Sequence, residues 1–113
     1  MDSSELKSGL NDLQLRLTDI REGVFDVSSK ENRLKQIEED LAKEEVWSDL
    51  ELSQKISKEK TVLEKSLASF KTVEEKVSDG LLFIDIAEEE GDDASINEIL
   101  ESFYELEKSV SEL

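Results

Sequence analysis

Lys43-Glu44-Glu45-Val46-Trp47-Ser48-Asp49-Leu50-Glu51 decides the fold, because one long amphipathic pattern stops there and another begins. Trp47 is the lone tryptophan of the chain. A bulky aromatic is costly to expose, and Ser48 with Glu51 beyond it has the Ser-x-x-Glu spacing of a helix capping box. Trp47 is therefore expected to act as a wedge that closes a turn between helices. Its truncation to alanine is expected to cost several kcal/mol, as for other buried aromatics.

Upstream, apolar residues recur as Leu6, Leu10, Leu13, Leu17, Ile20 and Val24, in alternating steps of four and three. That is the period of a helix packed against another helix. Asp2 with Glu5 marks its start as a capping box. Gly23 and Phe25-Asp26-Val27-Ser28-Ser29 break the pattern, Ser28 with Glu31 offers a second box, and Leu34, Ile37 and Leu41 continue a second stripe.

Downstream, the third stripe is the longest, running through Ile56, Leu63, Leu67, Phe70, Val73, Val77, Leu81 and Ile84. One helix from Leu50 to Glu88 would be about 55 to 60 Å long. Gly80 lies inside it and predicts either a bend or a close helix approach. Glu88-Glu89-Glu90-Gly91-Asp92-Asp93 reads as a loop, since like charges repel and Gly91 can take the left-handed conformation that ends a helix. Ser95 with Glu98 is a fourth box, and Ile96, Ile99, Leu100, Phe103, Leu106, Val110 and Leu113 form the last stripe. The expected fold is all-α, an antiparallel bundle of about four helical segments, one very long, in a single domain over residues 1–113. The first two segments together nearly match the third. The apolar pattern is still running at Leu113, as in a domain excised from something longer.

Composition agrees with long helices and few turns: no proline, four glycines, 36% apolar and 39% charged residues in 113. Fourteen basic against thirty acidic residues leave a formal charge of −16, so the chain as a whole is repelled by phosphate backbones. With neither cysteine nor histidine, disulfides, thiolate or imidazole metal sites and a histidine general base are excluded. No signal-peptide pattern opens the chain and no apolar run approaches membrane-spanning length, so a cytoplasmic location is the default.

Carboxylates are the remaining catalytic material. Glu88, Glu89, Glu90, Asp92 and Asp93 lack the alternating arrangement of a calcium loop, and the simplest reading is a solvated loop. Isolated glycines rule out a phosphate-binding loop. No metal, cofactor or small-molecule substrate is expected. Charge is polarised along the chain. Lys30, Arg33 and Lys35, with Lys55, Lys58, Lys60 and Lys65, gather near the junction, whereas Val77 to Glu107 holds eleven acidic residues and no basic one. Either the lysines pair with glutamates along helix faces, or one end tolerates phosphates while the other faces solvent or protein. The apolar cluster Leu81, Leu82, Phe83, Ile84 and Ile86 is too wide for a two-stranded seam, which favours bundling within the chain over an intermolecular coiled coil.

The segment from Asp26 to Gln54 resembles the N-terminal domain of bacterial class I peptide chain release factors of the second type, those that read UGA and UAA. The resemblance rests on Asp26, on Lys30, Arg33 and Leu34, on Val46, Trp47, Ser48 and Asp49, and on Ser53 and Gln54. Ser48 stands where the family more often has Asn or Asp, and Ser53 where it has Ala. Ser78-Asp79-Gly80-Leu81-Leu82, Gly91-Asp92-Asp93 and Leu106-Glu107-Lys108 extend the likeness over nearly the whole chain.

The family's Ser-Pro-Phe codon-reading tripeptide and Gly-Gly-Gln motif have no counterpart, because this chain has no proline and no adjacent glycines. The resemblance therefore implies a non-enzymatic accessory domain. Its implied partner is the ribosome, through stalk-base proteins and adjacent ribosomal RNA, with the recycling GTPase as a further one. It also implies that Asp26, Lys30, Arg33, Leu34, Val46, Trp47, Asp49 and Gln54 are family signature positions, and Lys30, Arg33, Leu34, Val46 and Trp47 are expected to fix the helix junctions. A rival reading is a free-standing, coiled-coil-like helical chaperone or scaffold that binds through the ends of a helical hairpin.

Overall fold

The computed structural model describes Met1–Leu113 and contains five helices: α1 (Ser3–Glu22), α2 (Val27–Leu41), α3 (Glu44–Trp47), α4 (Leu50–Glu90) and α5 (Asp93–Ser111). The all-α expectation holds. The junction around Trp47 adds one feature that periodicity could not reveal, a single helical turn, α3, between the second and third stripes.

α4 is the spine of the molecule. Its 41 residues span about 61 Å at about 1.5 Å per residue, which accounts for the molecule's long dimension of 62 Å against 24 and 19 Å across. α1 and α2 follow one another along α4, both antiparallel to it: Lys7 of α1 pairs with Glu88, Arg21 with Glu74, and Arg33 of α2 with Glu59. α5 folds back on the C-terminal half of α4 after Gly91, whose φ of 63° is the left-handed conformation expected of it.

Four helices nevertheless do not pack side by side at any level. α1, the C-terminal half of α4 and α5 form a three-helix bundle, while α2 and the short α3 lie on the N-terminal half of α4 and do not meet α5. The core divides accordingly. Leu6, Leu10, Leu13 and Leu17 pack with Val27, Phe70, Val77, Ile84, Phe103, Leu106 and Val110, whereas Ile37, Val46 and Ile56 form a separate small core near the junction. Val24, placed by spacing on the first stripe, lies past the end of α1 and is fully exposed.

Three of the four expected capping boxes are replaced by a nearby aspartate, upstream of the serine at α2 and α5 and one residue downstream at α4. Asp2 with Glu5 forms the reciprocal box as expected. α2, however, is capped by Asp26, α4 by Asp49 and α5 by Asp92, each accepting from the backbone N–H three residues on. Ser48 instead donates its hydroxyl to the carbonyl of Glu44 at the end of α3. An aspartate side chain carries a charge that favours the positive helix end as well as an oxygen that accepts from a free first-turn N–H. The expected acidic loop is likewise only a two-residue turn, Gly91 and Asp92, because α4 continues through Glu90.

Candidate functional site

The first junction is built around Phe25. Its ring stacks on Phe70 of α4 with centroids 4.7 Å apart, and the ammonium of Lys30 lies 4.1 Å above its centroid. The same ammonium donates to the Phe25 carbonyl. Asp26 adopts a φ of 47°, rare for a residue with a Cβ, and in that conformation accepts from the N–H of Ser29 to open α2. Asp26 and Lys30 thus hold the junction between α1 and α2 from its two sides.

Along α2, Arg33 makes a two-pronged ion pair with Glu59 of α4, Nε to Oε1 at 2.7 Å and Nη2 to Oε2 at 2.8 Å. The Arg33 hydrogen bonds hold the Glu59 carboxyl below its ordinary range, and Glu59 in turn raises the guanidinium. Leu34 is half-buried, and Val46 is buried against Ile37 and Ile56 in the small core. Asp40 accepts from Gln36 and from Lys43, which together lower its carboxyl.

Trp47 breaks the expectation drawn for it: the indole is 58% exposed. Val46, one residue earlier, takes the inward position, because a single helical turn against α4 can direct only one of two adjacent side chains into the small core. Leu50 is 70% exposed, and Gln54, one turn further on the same face of α4, is also exposed. Among the residues that carry the resemblance, Asp26 and Asp49 cap α2 and α4, Lys30 and Arg33 make polar contacts at or across the junctions, Val46 is buried and Leu34 half-buried, while Trp47 and Gln54 face outward.

The basic group near the junction is only partly engaged. Arg33 is paired and Lys60 lies 4.0 Å from Glu64, whereas Lys35, Lys55, Lys58 and Lys65 have no carboxylate within ion-pairing distance. No charged or polar residue is buried, and no three acidic side chains converge as metal ligands. None of the helices is long and apolar enough to cross a membrane. At the opposite end a groove opens between α4 and α5, floored by Leu10, Gly80, Phe83, Ile99 and Leu106. The wide apolar cluster is divided here: Leu81 and Ile84 face the bundle, whereas Leu82, Phe83 and Ile86 stay exposed because α1 and α5 cover only one side of α4.

No protein-family model matches the chain. Individual sequences do. The chain is 33% identical over all 113 of its residues to peptide chain release factor 2 of Campylobacter fetus, covering 30% of that protein. It is 30% identical over 110 residues, 97% of its length, to the same factor of Neisseria gonorrhoeae, again covering 30% of the relative. With that of Xanthomonas euvesicatoria it shares 28% over 93 residues, 82% of this chain and 25% of the relative.

Over its whole length the chain is thus similar to a minor part of the bacterial peptide chain release factors. The factor it matches is release factor 2, and it spans 25 to 30% of the length of these curated relatives.

Proposed function

We propose that the chain is the N-terminal helical accessory domain of a release factor 2-type protein and works in the cytoplasm on the ribosome, where the parent factor directs termination at UGA and UAA codons. The observation that carries this reading is the match of the whole chain to a minor share of release factor 2. Its role is to contact the proteins and adjacent RNA at the base of the ribosomal stalk and to act with the recycling GTPase. It performs no chemistry itself.

Several features support that division of labour. The 62 Å length lets one end of the domain engage a partner while the other stays clear of it. Exposed Trp47, Leu50 and Gln54, with the unpaired Lys55 and Lys58 following on α4, offer a contact end suited to both protein and phosphate. The acidic region from Asp79 to Glu107 is repelled by RNA and belongs away from it.

The test is binding of the 113-residue chain to bacterial ribosomes before and after the stalk-base proteins are stripped. Saturable binding that falls on stripping, and falls at least about tenfold with Trp47→Ala, is expected. Binding indifferent to both treatments overturns the assignment of the contact, and stop-codon-dependent peptide release by the chain alone overturns the non-enzymatic reading. Reading the coding sequence past Leu113 separates this proposal from a free-standing scaffold.

A further inference from the structure

Where α4 meets α5, the outer surface of the bundle carries an apolar strip with an acidic border. Leu82, Phe83 and Ile86 are 57%, 52% and 43% exposed, and Phe83 and Ile86 adjoin Ile99 of α5 in one continuous groove. Asp79 and Glu90 line it from α4, and Glu98 and Glu105 from α5. None of these four carboxylates has a cation within ion-pairing distance, whereas Asp85 and Glu88 on the adjacent face of α4 are both held by Lys7. Lys76, at one end, is the single cation of the lining.

We propose that this groove is a docking site for a basic amphipathic helix, one with an apolar stripe flanked by lysine or arginine. The apolar floor gains by being covered, and unpaired carboxylates on both rims gain from cations laid along them. From Lys76 to Glu90 the floor is about 21 Å long, the length of a helix of about 14 residues. The helical period of both walls presents rows of side chains into which the anchors of a third helix fit. A second copy of the chain is disfavoured by its charge of −16, and RNA and anionic lipid are repelled by the same rims. The groove lies away from Trp47 and its chemistry is independent of the ribosomal assignment.

The experiment uses the 113-residue chain and two synthetic helical peptides of identical apolar stripe, one flanked by lysines and one by glutamates, titrated by calorimetry. The lysine peptide is expected to bind at least about tenfold more tightly, with affinity falling as salt rises. Phe83→Ser with Ile86→Ser, and separately Glu98→Lys with Glu105→Lys, should each weaken it about tenfold or more with helicity unchanged, since all four side chains are exposed. Glu38→Lys with Glu39→Lys makes the same charge change on α2 and should alter affinity less than about threefold. Equal loss from the α2 pair would reduce the effect to net charge and overturn the proposal. So would indifference to the groove substitutions, equal binding of the glutamate peptide, absence of binding, concentration-dependent dimerisation lost with Phe83→Ser, or a preference for RNA or anionic vesicles.

Discussion

Gly9 of α1 is the seat of the Phe103 ring of α5: a Cβ at position 9 would lie 2.6 Å from Cζ and 2.9 Å from Cε2 of that ring. Phe103 is buried in the main core and cannot swing aside without opening it. Alanine at position 9 gains about 1 kcal/mol of helix propensity but incurs overpacking of about 1 to 3 kcal/mol. Gly9→Ala should therefore lower stability by about 1 kcal/mol in chemical denaturation. Gly80 faces Leu10 at 3.3 Å, a contact that shifts of tenths of an ångström relieve, so Gly80→Ala should stay within about 0.5 kcal/mol of the parent. The close approach at Gly80, rather than a bend, is the role the structure gives that glycine.

Trp47→Ala should change stability by less than about 0.5 kcal/mol, because the side chain is exposed. Ile37→Ala, at a fully buried position in the small core, should cost about 2 to 4 kcal/mol. Since Trp47 is the lone tryptophan, its native-state emission and quenching should match a solvated indole. A blue-shifted, quencher-resistant signal in the monomer would contradict the outward placement.

Asp26 combines a cap with a left-handed backbone, so its substitution separates the two contributions. Asn tolerates that conformation and caps about as well, and Asp26→Asn should cost less than about 0.5 kcal/mol. Asp26→Ala loses the cap and strains the backbone, and should cost about 2 kcal/mol in thermal or denaturant unfolding.

Glu59 is a test of linkage. Its carboxyl is held low by Arg33 in the folded chain, so the pair contributes stability above the ordinary carboxylate range and loses it as pH falls through the depressed value. Glu59→Gln should therefore melt at a lower temperature than the parent at neutral pH. The gap should close as pH falls past the ordinary carboxylate range and through the depressed value, where the parent carboxyl protonates. A gap that persists unchanged in acid would mean that Glu59 acts through packing alone.

Helix periodicity was legible because it is a local property: steps of three and four in Leu6 to Leu17, and in Leu63 to Ile84, report a face without reference to what covers it. The length of α4, its end at Gly91 and the matching run of α1 and α2 follow from the same pattern. The capping residues were less legible. Ser28, Ser48 and Ser95 have the right spacing, but Asp26, Asp49 and Asp92 lie within three residues of them, and the backbone dihedrals decide between neighbours. Asp92 wins at α5 while its carboxyl also accepts from the Ser95 hydroxyl and N–H, which lowers its pKa.

By itself, then, the sequence determined an all-helical rod with one long helix, its polarised charge, and the residues around Trp47 that carry its kinship to release factor 2. Tertiary structure alone decided that Val46 and not Trp47 enters the core, that the hydrophobic interior is two separate clusters, and that Phe83 and Ile86 remain uncovered. An apolar stripe records that a helix has a face to bury. Which part of that face is covered depends on where distant segments of the chain come to rest.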